Sequence, residues 1–177
     1  MMLDIGCGKL KTEGAIGLDR VKLNGVDIIC DLEKPLPFDD NSFDEINAYH
    51  VMEHIVNYIP LIEEIHRILK PDGILKIRVP YYISPNAVEN PTHVRFFGYQ
   101  SFRNFCEDTR ENYYSNARFS IEKAKFNWMT ANRSRLSKWS FFNKIFNPLL
   151  NAFPNFTAKF PFLMPEELYF KLEAMKR

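Results

Sequence analysis

The sequence predicts an α/β fold: a mostly parallel twisted sheet with an antiparallel hairpin at one edge and a helical insertion. Three observations support this fold class. Short apolar runs alternate with polar residues, the first run leads directly into two closely spaced glycines, and two alternating segments flank an apolar helical stripe near the end of the chain. With 177 residues, 46% of them hydrophobic, the chain can bury one sizeable core. We therefore expect residues 1–177 to form a single domain.

Five apolar segments in the first half are predicted strands of the parallel sheet: Met2–Asp4, Ala15–Asp19, Val26–Asp31, Phe43–Tyr49 and Gly73–Val79. The first four end in or near a polar side chain. Ligands gather at the carboxyl ends of strands in an open parallel sheet. We therefore expect four side chains to line one edge of the sheet, namely Asp4, Asp19, Asp31 and Tyr49.

One amphipathic helix is predicted between the fourth and fifth strands. Pro60 suits a first helical turn, and apolar residues follow at helical spacing from Leu61 to Leu69. The segment Lys70-Pro71-Asp72-Gly73 is typical of a helix end and a turn into the next strand.

Two later segments, Phe119–Phe126 and Leu168–Met175, alternate between apolar and polar residues and predict an antiparallel pair at the sheet edge. Between them we expect a helical insertion at about 130–160. Its apolar stripe is interrupted at Asn147-Pro148 and comprises Trp139, Phe142, Phe146, Leu149, Leu150 and Phe153. Its basic flank comprises Arg133, Arg135, Lys138 and Lys144. Such a stripe suits core packing, a lid over an apolar substrate, or an interfacial membrane helix.

The stretch from Leu3 to Gly8 reads as a strand that runs into a ligand loop. Glycine adopts positive φ and has no Cβ, so the N–H groups of this loop can approach a bound group closely. Asp4 selects the ligand, because a carboxylate repels a pyrophosphate and attracts an ammonium group. A zwitterionic amino-acid end offers that ammonium together with a carboxylate for the loop, and S-adenosylmethionine has such an end.

A dinucleotide fingerprint fits less well. It needs a third glycine three residues after Gly8, where this chain has Lys11, and an acid about 20 residues further on. Asp19 follows Gly8 by only 11 residues.

These residues resemble the Asp-x-Gly-x-Gly motif of class I S-adenosylmethionine-dependent methyltransferases, although that family usually has another glycine at the position of Leu10. The short connection after the first strand and the segments Val26–Leu32 and Lys34–Ile46 resemble one branch, the methyltransferase type 11 group. The resemblance covers Leu3–Tyr82. It implies a Rossmann-like fold, S-adenosylmethionine as cofactor and methyl transfer as the activity, with residues 1–82 as the cofactor half and 83–177 as the acceptor-side half.

The expected cofactor contacts follow the chain order. Asp4 faces the ammonium group, the loop Gly6, Cys7 and Gly8 faces the carboxylate, and Asp19 accepts the ribose hydroxyls with Arg20 beside it. Asp31 and Leu32 reach the adenine, and Tyr49 closes the edge. A base is needed only for a protonated hydroxyl or amine acceptor, and the candidates are His50 and His93. Arg95, two residues further on, could clamp an anion.

Two other functions stay open. The stretch His50-Val51-Met52-Glu53-His54 matches the H-x-x-E-H pattern of inverted zinc peptidases, which predicts a zinc hydrolase. That function would need a long helix and a third protein ligand, whereas Pro60 follows closely, so we expect no metal. The other alternative is a domain that binds S-adenosylmethionine and has lost transfer.

Charge is uneven along the chain. Residues 1–90 carry 9 basic and 15 acidic side chains, whereas residues 91–177 carry 14 and 7. An acidic half suits a sulfonium cofactor, and a basic half suits an anionic acceptor or a membrane surface. We expect a small-molecule, lipid or glycan acceptor and leave open peripheral membrane contact and a homodimer. Nucleic acid is disfavoured, because the Asn/Asp-Pro-Pro-aromatic motif of base methyltransferases is replaced by Ala48-Tyr49-His50.

Cysteine usage predicts a reducing, cytoplasmic location. Cys7, Cys30 and Cys106 form no close pair and no metal-binding spacing. The sequence has no apolar run of about 18 residues and no signal-peptide pattern. It opens directly on the first strand, whereas this family normally opens with a helix over the cofactor. We expect that cover to come from the insertion, a partner subunit or residues that precede this sequence.

Overall fold

A computed structural model of the chain describes residues 1–106, 109–110, 112–128, 137–159 and 165–176. The seven described strands are β1 (Met2–Ile5), β2 (Ile16–Asp19), β3 (Ile28–Ile29), β4 (Phe43–Tyr49), β5 (Leu69–Pro80), β6 (Phe119–Asn127) and β7 (Glu167–Ala174). They form one sheet in the order β3-β2-β1-β4-β5-β7-β6. The strands β1 to β5 pair in parallel, and β7 pairs antiparallel with both β5 and β6. The predicted α/β class and the antiparallel edge are confirmed.

The described helices are α1 (Tyr58–Ile68), α2 (Pro85–Val88), α3 (Ser137–Ala152) and α4 (Pro154–Lys159). Three short 3-10 turns lie at Met52–His54, Arg103–Phe105 and Asn112–Tyr114. Helix α1 buries an apolar face made of Leu61, Ile62, Ile65 and Ile68. Its first turn lies beside Glu33, whose carboxylate accepts the N–H groups of Val56 at 2.7 Å and Asn57 at 3.2 Å.

The two faces of the sheet differ in polarity. One face contributes fully buried apolar side chains from the central strands, and these pack in the same core as the buried face of α1. The opposite face carries half-buried polar and charged side chains, among them Glu45, Tyr49, Lys76, Arg78, Lys125, Tyr169 and Lys171. Alternation of side chains along each strand separates the two sets.

Two predicted strands differ from the structure at their ends. Strand β3 is reduced to Ile28–Ile29, because Asp27 turns its carboxylate to the N–H of Gly17 at 2.7 Å and to Lys11 at 2.8 Å. Strand β5 begins at Leu69, before the predicted turn. The predicted turn residues instead form an irregular part of the strand. Asp72 has a φ of 61°, and the pairing of β5 with β4 shifts register between Phe43 and Glu45.

The insertion is helical, but Pro148 does not interrupt it. Helix α3 continues to Ala152, and the break falls at Phe153 before α4. Two asparagines tie α3 to the edge strand. Asn151 accepts the N–H of Phe126 at 2.9 Å and donates to its carbonyl at 2.8 Å, and Asn147 accepts the N–H of Trp128 at 2.8 Å.

The predicted apolar stripe is divided between core and surface. Leu150 is only 1% exposed and Phe146 stacks on Trp128 at 4.6 Å, whereas Leu149 and Phe153 are 56% and 73% exposed. Arg133 and Arg135 lie outside the described residues, as do the side chains of Lys138, Trp139 and Phe142. Among the described helices, none combines the length and the apolar character needed to cross a bilayer.

Candidate cofactor and acceptor site

Two adjoining cavities open at the carboxyl ends of the parallel strands. The smaller cavity measures about 280 Å³, and the larger measures about 490 Å³. Both are lined by Gly6 and His50, which therefore mark their junction. The smaller cavity also contacts Asp19, Arg20, Asp31, Leu32, Glu33, Val51, His54, Ile55 and Thr92. The larger cavity also contacts Asp4, Cys7, Gly8, Lys9, Leu10, Thr12, Tyr49, Arg78 and Glu167. All nine residues predicted from the sequence to bind a cofactor line one of the two.

The glycine loop turns through two left-handed residues, Gly6 with a φ of 63° and Gly8 with a φ of 52°. They differ in their surroundings. A Cβ on Gly6 would lie 2.3 Å from Cγ2 of Val51, so the fold itself requires glycine there. A Cβ on Gly8 would have no protein atom within 4 Å, although Gly8 lines the larger cavity. The space beside Gly8 is therefore available to a ligand.

Asp4 is almost fully buried at the end of β1. Its Oδ2 accepts the N–H of Thr12 at 2.6 Å, which holds the connection after β1 against the strand end. Burial raises the pKa of Asp4, while the hydrogen bonds from Thr12 and the charge of Lys11 oppose that rise. A cation beside this carboxylate would offset its desolvation.

Asp19 organises the strand ends from the other side. Its Oδ2 accepts the N–H of Gly8 at 2.9 Å and its Oδ1 accepts the N–H of Val21 at 3.0 Å. Each carboxylate oxygen can accept a further hydrogen bond. Asp31 makes a similar local turn by accepting the N–H of Glu33 at 3.1 Å, and the buried Leu32 supplies an apolar wall next to it.

Cys7 and Tyr49 are both held in their neutral forms. Burial, followed by the charges of Asp4 and Asp19, raises the pKa of the Cys7 thiol to about 11. Burial also raises the pKa of Tyr49 to about 12, against the opposing charge of Arg78, whose guanidinium lies 4.5 Å above the tyrosine ring. At neutral pH, Tyr49 can therefore present a hydroxyl donor.

His50 lies between two buried carboxylates. Its Nε2 is 2.9 Å from Oε2 of Glu167, and its Nδ1 is 3.4 Å from Oε1 of Glu53. Both glutamates are only 1% exposed. Burial alone would lower the pKa of His50, but the hydrogen bonds and charges of Glu167 and Glu53 outweigh burial and raise it to about 9. At neutral pH, His50 is therefore an imidazolium, which has no lone pair to accept a proton.

His93 lies behind this group and away from the cavity linings. Its Nδ1 donates to the carbonyl of Ala87 at 3.0 Å, and its Nε2 is 4.0 Å from Oε1 of Glu53. The His54 ring contacts it at 4.7 Å. Arg95 is engaged with the backbone, because its guanidinium donates to the carbonyls of Ile55 and Val56.

The H-x-x-E-H stretch does not form the helix on which a zinc hydrolase would need its two histidines. His50 has a left-handed φ of 54°, and only a 3-10 turn, Met52–His54, follows it, so His50 and His54 do not share the face of a regular helix. Both ring nitrogens of His50 already meet carboxylates. A different set, Glu53, His54 and His93, brings its ligand atoms within 4.8 Å of one another.

Several cavity-lining residues were not predicted from the sequence, and Glu167 and Arg78 are the two that matter most for the geometry of the site. Glu167 comes from the start of β7, 117 positions from His50, and no local pattern relates them. Arg78 had a usable signal, because a central parallel strand buried on both faces should be continuously apolar. Lys76 and Arg78 interrupt that run in β5 and indicate a polar sheet face.

The site as a whole suits a ligand that contains both a cationic group and a nucleoside. Carboxylates of Asp4, Asp19 and Asp31 line the cavities, and the space beside Gly8 leaves backbone groups approachable. The side chains of two buried glutamates meet one imidazolium at the junction. A sulfonium with an amino-acid end matches this charge distribution.

Comparison with known proteins agrees with this chemistry. The model of a family described as a methyltransferase domain matches residues 3–77. A demethylmenaquinone methyltransferase of Geobacillus stearothermophilus is 34% identical over 73 residues, which are 41% of this chain and 28% of that protein. The chain thus spans little more than a quarter of the length of that relative.

Solved structures share the fold. A SAM dependent methyltransferase from Archaeoglobus fulgidus aligns with a TM-score of 0.62 at 17% identity, over 97% of this chain and 85% of that chain. The cyclase SpnF aligns with a TM-score of 0.59 at 16% identity, over 99% of this chain and 75% of that chain. The domain match over residues 3–77 and the shared fold make the chain similar to class I S-adenosylmethionine-dependent methyltransferases. S-adenosylmethionine is the cofactor of those enzymes.

Gly8→Ala should separate ligand binding from folding. A left-handed alanine costs about 1–2 kcal/mol, and Gly14 offers a matched control because it has a φ of 76°, open surroundings and no contact with either cavity. Both alanine variants should therefore lose similar thermal stability. Only Gly8→Ala should weaken S-adenosylhomocysteine binding in calorimetry, by at least about tenfold. Equal affinities in the two variants would place the cofactor elsewhere.

The charge on His50 should make folding stability depend on pH. Because the folded pKa of His50 is about 9, above its ordinary value of 6.5, its contribution is complete below pH 6.5 and is lost as the pH rises through about 9. Chemical unfolding across this window should show stability that falls with pH, and His50→Asn should remove that part of the slope. Parallel curves for the two proteins would show that His50 is not held between charged glutamates.

Proposed function

We propose that the protein transfers the methyl group of S-adenosylmethionine to an acceptor that enters at the junction of the two cavities. The observation that carries this proposal is the pair of cavities at the carboxyl ends of the strands, joined at Gly6 and His50 and lined by strand-end carboxylates. Asp19, Arg20, Asp31 and Leu32 hold the nucleoside, and Asp4, Gly6, Cys7, Gly8 and Tyr49 hold the amino-acid end.

S-adenosylmethionine held by these residues would supply an activated methyl group to the acceptor's lone pair, and the electron pair of its carbon–sulfur bond would stay on sulfur. The protein therefore mainly has to align the acceptor and exclude water. The strand-end carboxylates of Asp4, Asp19 and Asp31 favour binding of the cationic cofactor. Tyr49 remains a neutral donor beside the acceptor path.

His50 and His93 have different roles in this proposal. His50 orients groups at the junction as a cation and accepts a proton only after first losing its own. His93 acts as a positioning residue, because it reaches the junction through Glu53. An acceptor with an acidic hydroxyl, or one that is already an anion, suits this arrangement because it needs no strong base.

The acceptor is a small-molecule, lipid or glycan compound that carries an anionic group. The domain match ends at residue 77, before the acceptor-side half, so the quinone acceptor named for the Geobacillus relative is not carried over. Four exposed apolar side chains favour peripheral contact with lipid: Ile145 and Leu149 in α3, Phe153 at the break, and Phe156 in α4. A homodimer and a cytoplasmic location remain predictions.

A second function has its own support. The cyclase SpnF shares this fold over 99% of the chain, so the fold alone does not specify transfer. A domain that binds S-adenosylmethionine without transferring methyl would keep the carboxylates and the glycine loop and would release no S-adenosylhomocysteine with any acceptor.

Asp19→Asn tests the cofactor assignment. A hydrogen bond to a charged group is worth about 1.5–3 kcal/mol, so S-adenosylhomocysteine should bind about 10- to 100-fold more weakly in calorimetry. The control is Asp39→Asn, an exposed loop carboxylate outside both cavities, which should bind normally. An Asp19 variant that is folded and retains full affinity would refute the assignment. Turnover with quinone, glycan and phospholipid acceptors then separates transfer from binding alone.

A further inference from the structure

A row of four side chains crosses the polar face of the sheet from the larger cavity to the edge strand. Tyr49 of β4 pairs in register with Arg78 of β5, Arg78 with Tyr169 of β7, and Tyr169 with Lys125 of β6. Strand spacing of about 4.8 Å gives the row a length of about 14 Å. Aromatic rings and cations therefore alternate along a straight line.

Each cation lies over a neighbouring ring. The guanidinium carbon of Arg78 is 4.5 Å from the centre of the Tyr49 ring, and Nζ of Lys125 is 5.0 Å from the centre of the Tyr169 ring. All four side chains are half-buried. Stacking on a ring holds each cation in place without neutralising its charge.

Two neighbouring half-buried lysines are paired with glutamates, whereas Arg78 and Lys125 are not. Lys76 bonds to Glu45 at 2.6 Å and Lys171 bonds to Glu122. Within the part of the chain that the structure describes, Arg78 and Lys125 have no hydrogen bond or ion pair from their side chains, and Nε of Arg78 is buried without a partner. A buried donor left unpaired is costly unless a ligand satisfies it.

Lys125 lies in positively charged, partly buried surroundings that disfavour its own charge. Burial, then the charges of Lys123 and Arg78, lower the pKa of Lys125, and only Glu167 opposes them. Glu167 is already committed, because it accepts Nδ2 of Asn127 at 2.6 Å and meets His50 at 2.9 Å. An oxyanion placed between Arg78 and Lys125 would relieve their repulsion.

We propose that the row Tyr49, Arg78, Tyr169 and Lys125 binds the oxyanion group of the methyl acceptor, a phosphate or a carboxylate, through Arg78 and Lys125. This inference rests on the proposed methyl transfer and specifies its substrate class. Tyr49 and Arg78 also line the larger cavity together with His50. An acceptor anchored by its anion over Tyr169 therefore extends toward the cavity junction, and the tyrosine faces support its ring or chain.

The test is a nuclear magnetic resonance titration of the full chain, saturated with S-adenosylhomocysteine, at constant ionic strength. Inorganic phosphate and acetate are the two probes, and they distinguish a phosphate from a carboxylate acceptor. At least one should bind saturably, with a dissociation constant on the order of 1–10 mM. Arg78→Gln and Lys125→Gln should each weaken that binding by at least about fivefold.

Two further variants serve as controls. Lys123→Gln removes an exposed cation of the same strand outside the row and should weaken probe binding by less than about twofold. Arg78→Lys keeps the charge and should retain most of the binding. S-adenosylhomocysteine affinity, measured separately by calorimetry, should stay within about twofold in Lys125→Gln and Lys123→Gln, which change residues outside both cavities.

Several results would overturn the proposal. Three results would exclude a specific oxyanion site at the row. They are no binding of either probe, unchanged binding in both Arg78→Gln and Lys125→Gln, and an equal loss of binding in Lys123→Gln. A fall in S-adenosylhomocysteine affinity with Arg78→Gln would assign that guanidinium to the cofactor instead. Failure of the unmodified chain to bind S-adenosylhomocysteine would count against methyl transfer, whereas the probe titration would still decide the anion site.

Discussion

The imidazole of His50 contacts two buried glutamates, and this contact connects the separate parts of the site. His50 follows β4, Glu53 lies in the next 3-10 turn and Glu167 begins β7, so a single side chain connects the cofactor half with the antiparallel edge. Both glutamates are almost fully buried, whereas the His50 side chain is 36% exposed. The imidazolium offsets part of the cost of burying the two carboxylates. Strand β7 itself is held by its pairing with β5 and β6. The same pairing raises the pKa of His50 to about 9, which in the proposed reaction favours an acceptor that needs no strong base.

The asymmetry of the sheet determines where an acceptor can approach. The connection from β1 to β2 is too short for a crossover helix, and it forms instead a compact loop around Asp4, Gly8 and Asp19. The core of buried apolar side chains lies on one face with α1. The other face is polar from β4 to β6 and continues into the larger cavity. The proposed cofactor and acceptor surfaces are thus adjacent parts of one sheet.

Much of this arrangement could be predicted from the sequence. The strand-end carboxylates and the glycine loop are local patterns, and the structure brings all of them to the cavities. The alternation of apolar and polar residues in Phe119–Phe126 and Leu168–Met175 is sufficient to predict the antiparallel pair of edge strands. Properties set by distant partners could not be predicted. The pKa of His50 depends on Glu167, the helical path through Pro148 depends on packing of α3 against β6, and Gly6 is required by its contact with Val51.

A crystal structure of the chain with S-adenosylhomocysteine would test the central claim most directly. The account predicts one ligand that spans both cavities, with its ribose at Asp19, its amino-acid end beside Asp4 and Gly8, and its sulfur at the junction next to His50. That position would leave the path from the polar row open to the sulfur. A ligand bound away from the strand ends, or one whose amino-acid end occupies the space between Arg78 and Lys125, would contradict the account.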